Sequence, residues 1–132
     1  MFIGHFGVGF AAKRVAPAVS LGTLFLAAQF IDLLWPTLLL AGVERVEIRP
    51  GANPPLAFVH YPVSHSLVAV LGWAALIGGL HFGLRRRLRA ALVVGAAVLS
   101  HWVLDLLVHE PDLPLAPGAA RVGLGLWHWP LT

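Results

Sequence analysis

The chain has 132 residues, is 58% hydrophobic and only 11% charged, and has a mean hydropathy of +0.82, a composition that excludes a water-soluble monomer and leaves material for a single domain. Its nine Lys and Arg give a net charge of +3; in so apolar a chain they read as topological anchors at lipid head groups, not as a nucleic-acid surface. The absence of cysteine excludes disulfides, thiolate metal sites and thiol catalysis, which leaves the seven histidines as the leading candidate ligands.

In chain order, residues 2–12 are apolar, glycine-rich and too short to cross a bilayer, so they predict a half-inserted or re-entrant helix held against the bundle. A cleavable signal peptide is disfavoured because Lys13 and Arg14 follow the apolar stretch instead of preceding it. Residues 18–43 form a first membrane span, interrupted by Asp32 and Pro36. Residues 44–63, with Pro50, Gly51, Pro54, Pro55 and Pro62, predict an irregular outer loop. Two further spans follow at 64–83 and 90–108, each near the ~20 residues that ~30 Å of hydrocarbon requires. An irregular outer tail occupies 109–132. The expected fold is an all-α integral membrane protein, with three transmembrane helices and an N-terminal half-helix in one domain.

Orientation follows from charge. Lys13, Arg14, Arg85, Arg86, Arg87 and Arg89 fall on one side and Arg45, Arg49 and Arg121 on the other, so the six-residue side is expected in the cytoplasm and the C-terminal tail in the periplasm or outside.

Ionisable residues inside apolar spans are costly and usually face the bundle interior or a water-filled cavity. At ~1.5 Å of rise per residue from the cytoplasmic helix ends, Asp32 lies ~20 Å deep, His101 ~17 Å, Asp105 ~23 Å, and His5 in the half-helix ~12 Å. His65 lies slightly beyond, at the outer start of its span. The strongest local pattern is Ser100-His101-x-x-x-Asp105, since an i,i+4 pair puts imidazole and carboxylate on one helix face, and His109 continues that stripe. The second is the segment His60 to Ser66: Pro62 is expected to start the helix, leaving His60 in the loop and His65 in the first turn. Asp32, with Gln29 one turn earlier, supplies a third wall and a candidate bridging carboxylate. Ser64, Ser66 and Ser100 lie beside these ligands, and His109 is expected to support them from behind more than to ligate. A set of up to four His (His5, His60, His65, His101) and two Asp (Asp32, Asp105) suits a divalent metal, Zn²⁺ or Mn²⁺, with two clustered ions the natural count. Such a centre activates water and suits ester hydrolysis. The competing reading of His101 and Asp105 is a hydrogen-bonded pair stitching helices together. His81 and His128 read as interfacial, Trp35, Trp102, Trp127 and Trp129 as outer anchors, and Trp73 as helix packing. Several glycines, Gly78 and Gly95 among them, would let helices approach closely.

Gly4-His5, Asp32 at the end of the first apolar run, the segment from His60 to Ser66, and Ser100-His101-x-x-x-Asp105 resemble, in that order, the bacterial membrane-bound metal-dependent hydrolases, the YdjM-like inner-membrane proteins. The likeness covers essentially the whole chain. The family pattern H-R-G-x-T-H-S falls on His60, Ser64, His65 and Ser66, with Tyr61 in place of its arginine and Pro62 in place of its glycine; Asp32 matches only the last acid of its P-D-x-D, with Phe30 at the earlier one. A fainter likeness, in ligand order only, is to the all-helical zinc phospholipase C and related nucleases. The resemblance implies a hydrolase of the bacterial inner membrane acting on a phospholipid or another amphiphilic ester. The alternative expectation is a non-catalytic transmembrane subunit of a larger energy-transducing or photosynthetic complex, its histidines packing residues or axial ligands to haem or chlorophyll.

Overall fold

The computed structural model describes residues 2–51 and 56–126. Pro54 and Pro55 of the loop, and Trp127, His128 and Trp129 of the tail, lie outside the described residues.

Four helices carry the fold: α1 (Phe2–Val15), α2 (Leu21–Leu40), α3 (Leu67–Arg85) and α4 (Leu88–Val108). The last three are long and apolar enough to cross a membrane, with mean hydropathies of 1.6, 1.9 and 2.0 over their most apolar stretches. The protein is therefore read as membrane-embedded. Helix α1 runs to Val15, beyond the expected end at residue 12; at ~1.5 Å per residue it is ~21 Å long, short of a crossing. Lys13 Nζ donates to the carbonyls of Pro17 and Val19 at 2.8 Å each, which ties the end of α1 into the turn toward α2. Ser20 caps α2 by accepting from the Thr23 N–H at 3.1 Å. Pro36 lies inside α2 and has no N–H to give the Asp32 carbonyl, so the helix ladder opens one turn after Asp32.

Helix α4 is the central element and packs against each of the other three helices, while α1 also packs on α2. Its buried residues Ala90, Ala91, Val94, Ala97, Val98, His101, Trp102 and Asp105 recur at helical spacing, so one apolar stripe continues into the polar cluster. Trp102, expected as an interfacial anchor, is buried within this core. Its position on the inner stripe of α4 overrides its preference for the interface.

Helices α3 and α4 form a hairpin with a very short turn, in which Arg86 takes the left-handed conformation (φ 53°) and its N–H bonds the Phe82 carbonyl. The hairpin closes tightly at Gly78 and Gly95. A Cβ at Gly78 would lie 3.0 Å from the Ala91 carbonyl oxygen, and one at Gly95 would lie 3.0 Å from that of Ala74. Gly95→Val is therefore expected to destabilise the protein by ~1–3 kcal/mol, read as a lower unfolding midpoint in detergent. Gly79→Val, where a Cβ meets nothing within 4 Å, should leave that midpoint unchanged.

The expected irregular loop and tail are partly sheet, so the fold is mostly helical and not all-α. Strand β1 (Arg45–Ile48) pairs antiparallel with β2 (Leu56–His60), with an irregularity between Arg45 and Val46. Strand β3 (Leu113–Pro114) pairs with β4 (Arg121–Val122). The β-branched and aromatic residues Val46, Ile48, Phe58 and Val59 favour strand, a signal that the surrounding prolines outweighed. The Arg121 guanidinium joins the two sheets by donating to the carbonyls of Phe58 (3.3 Å) and Val59 (2.6 Å). Backbone bonds from Val68 N–H to Leu115, Leu124 N–H to Leu106 and Gly125 N–H to His109 fasten the tail across the start of α3 and the end of α4. The loops thus cover one end of the bundle, with Tyr61 and Leu113 fully buried beneath them.

Candidate metal centre

The cluster sits where the start of α3 meets the C-terminal half of α4, under this cover. Pro62 does not begin a helix as expected. Residues 62–66 form a turn, and α3 starts only after Ser66, whose Oγ accepts from the Ala69 N–H at 3.2 Å. The cause is Glu44, whose carboxylate takes the N–H groups of Val63 and Ser64 that an earlier helix start would have left open. His65 consequently projects from the turn, held by its neighbours.

Two imidazoles and two carboxylates lie close together. His101 Nε2 lies 3.2 Å from Asp105 Oδ2 and 3.4 Å from Asp32 Oδ1; His65 Nε2 lies 3.8 Å from Asp32 Oδ1 and 3.9 Å from Asp105 Oδ2. Donors bound at ~2.0–2.2 Å to one tetrahedral ion stand ~3.4 Å apart, a spacing the two His101 contacts match and the two His65 contacts exceed. Asp105 turns its other oxygen to His5 Nε2 at 3.2 Å and His109 Nε2 at 4.0 Å. The His5 ring stacks on that of His101, centroids 3.8 Å apart and planes at 12°. His5, His101 and Asp105 form one ligand group and Asp32, His65 and His101 another, each with its donor atoms within 4.8 Å.

The hydrogen bonds fix which nitrogen faces inward. His101 Nδ1 lies 2.9 Å from the Ala28 carbonyl, an acceptor only, so Nδ1 carries a proton and neutral His101 presents the Nε2 lone pair to the two carboxylates. That buried Nε2 has no hydrogen-bond partner, and neither has His5 Nε2. A lone pair facing carboxylate oxygens in an apolar interior requires positive charge between them. A divalent cation at His101 Nε2 supplies that charge, and a set of imidazole nitrogens and carboxylate oxygens suits Zn²⁺ or Mn²⁺. The residues present therefore fit a bound divalent metal.

Of the candidates read from the sequence, His5, Asp32, His65, His101 and Asp105 come together. His60 does not: it is exposed in β2 opposite Arg45, because the strand pairing carries it away from the turn that holds His65. Ser64 contacts His65, with Oγ 2.7 Å from His65 Nδ1. Ser66 is instead the helix cap, and Ser100 bonds the Ala97 carbonyl of its own helix. Gln29 is buried on α2. His109 lies beside Asp105, its Nε2 4.0 Å from Asp105 Oδ1 and its Nδ1 3.2 Å from Asp112 Oδ1. Trp73 packs on Phe30 and donates to the Val63 carbonyl at 2.9 Å, bracing the same turn.

Two residues escaped the sequence reading. Glu44, 2% exposed, begins the segment read as an irregular outer loop, and only its position directly after the apolar run 18–43 marks it. Tyr61 packs against His65 and donates its hydroxyl to the Asp112 carbonyl at 2.7 Å. Burial, and then the nearby Asp112, raise the Tyr61 pKa far above its ordinary value, so the hydroxyl remains a donor.

Compared with known proteins, the chain matches no family model, no curated protein and no solved structure.

Proposed function

We propose that the protein is a membrane-embedded metal-dependent hydrolase, with Asp32, His65, His101 and Asp105 holding one divalent cation, Zn²⁺ before Mn²⁺. The observation that carries this reading is that two imidazoles and two carboxylates, drawn from α2, α4 and the turn before α3, lie within 3.2–3.9 Å of one another as His–Asp pairs. A single imidazole nitrogen ligates one ion, and the two candidate groups share His101, whose Nδ1 is taken up by the Ala28 carbonyl, which favours one ion over the two anticipated from ligand count. When bound, such a cation lowers the pKa of water and polarises the oxygen of an ester or phosphoester.

The protein's own residues set access and orientation. Asp32 is 21% exposed at its side chain against 6% for His65, 2% for Asp105 and 0% for His101, so reactants approach along the Asp32 side of α2. The loop cover closes the helix ends, which suits an amphiphile supplied sideways from the bilayer, a phospholipid before other esters. His5 and His109, on the far oxygen of Asp105, hold that carboxylate in place. We further propose that α1 is half-inserted, that the Arg85–Arg89 turn faces the cytoplasm of a bacterial inner membrane, and that the tail lies outside. The accessory-subunit reading with haem or chlorophyll is less well supported: an axial imidazole needs a flat apolar slot beside it, whereas here the Nε2 atoms face carboxylates.

Protein purified in detergent and loaded with Zn²⁺ should hold about one equivalent by elemental analysis and release head group or fatty acid from phospholipid vesicles. Chelation should abolish the release, and added Zn²⁺ should restore it. Metal-free protein after loading, or loaded protein inert toward phospholipid and ester substrates, would overturn the reading.

A further inference from the structure

We infer that Glu44 is a positioning residue for this centre, acting through Ser64 to fix which nitrogen of His65 faces Asp32 and Asp105; the inference rests on the metal reading of the site. Glu44 follows the end of α2 by four residues and is anchored there by its own N–H, which bonds the Leu38 carbonyl at 3.2 Å. Its Oε1 accepts from Val63 N–H at 2.9 Å and Ser64 N–H at 2.7 Å, and its Oε2 accepts from Ser64 Oγ at 2.7 Å. Glu44 is 2% exposed, Ser64 0% and His65 5%, so water does not compete for these bonds.

The consequence follows from counting protons. A serine hydroxyl has one, and it goes to the Glu44 carboxylate, which only accepts. Ser64 Oγ must then accept from its second neighbour, His65 Nδ1, at 2.7 Å. Nδ1 of His65 therefore bears the proton and Nε2 keeps its lone pair for the centre. His101 reaches the same state by a different route, through the Ala28 carbonyl. Glu44 thus does two things with one side chain: Oε1 shapes the turn that presents His65, and Oε2 sets its tautomer.

Glu44→Gln separates the two. The amide oxygen can keep both backbone bonds, but an NH₂ group replaces Oε2 and donates to Ser64 Oγ. The serine proton then turns to His65 Nδ1, and the imidazole proton moves to Nε2, where it blocks ligation. In metal-free wild type, imidazole ¹⁵N NMR should show His65 protonated at Nδ1; in Glu44→Gln it should show protonation at Nε2. Zn²⁺ affinity, measured by competition with a chromophoric chelator, should fall ~10–100-fold while helical circular dichroism is unchanged. Ser64→Ala, which keeps the backbone bonds to Glu44, should weaken Zn²⁺ binding by a similar factor and keeps the question open to test if Glu44→Gln fails to fold. An unchanged His65 tautomer in Glu44→Gln, or affinities within twofold of wild type in the folded variants, would overturn the inference. Wild type that binds no Zn²⁺ would instead overturn the metal reading, and the tautomer comparison would then decide the role of Glu44 alone.

Discussion

Replacing His101 by alanine is expected to reduce bound Zn²⁺ from about one equivalent to background and to lower hydrolysis ~10³-fold or more, since cation stabilisation of developing charge is worth several kcal/mol. His101 is the member common to both ligand groups, and its Nε2 makes the two shortest contacts within the four-donor set. Its loss also removes the link to the Ala28 carbonyl between α4 and α2, so circular dichroism and the unfolding midpoint must be recorded alongside metal content. Folded His101→Ala protein that retained a full equivalent of metal would displace the centre from this position. His60→Ala is the matched control: the residue is exposed on β2, and metal content and activity should not change.

Asp105→Ala should have the largest effect on stability. The side chain is 2% exposed and faces four imidazoles, with one oxygen toward His101 and His65 and the other toward His5 and His109. Removing one partner of a buried charged set costs ~3–5 kcal/mol, which for a chain of this size lowers the thermal midpoint by ~10 °C or more. Asp32→Ala should cost less, because Asp32 is partly exposed and water can reach what remains. Metal linkage gives a second readout. Loading wild type with Zn²⁺ at a hundred times Kd should add ~2.7 kcal/mol, and that increment should vanish in Asp105→Ala. A larger loss from Asp32→Ala than from Asp105→Ala would mean that the charge centre lies nearer α2 than the geometry places it.

How far the site was legible depended on the distance over which each signal acts. His101 and Asp105 lie one helical turn apart, so their shared face follows from helix geometry alone. Asp32 stood out because a carboxylate in an apolar span is costly whatever surrounds it. His60 and His65 could not be told apart on chemistry, and the difference arises from the β1–β2 pairing, which carries one outward, and the Ser66 cap, which turns the other inward. Trp102 differs from its expected place for the same kind of reason: its depth along the span suits an interface, but its azimuth on α4 points to the core.

The amino-acid pattern alone determined the three apolar crossings, the short leading helix and most of the inward-facing polar residues, because hydrocarbon length and the cost of buried charge are properties of single segments. Which imidazole joins the cluster, which nitrogen it presents and what holds it there were decided only by tertiary structure. Those outcomes rest on hydrogen bonds such as Ser64 to Glu44, twenty residues apart, and His101 to Ala28, seventy-three apart. Helical or strand periodicity carries no information over such distances.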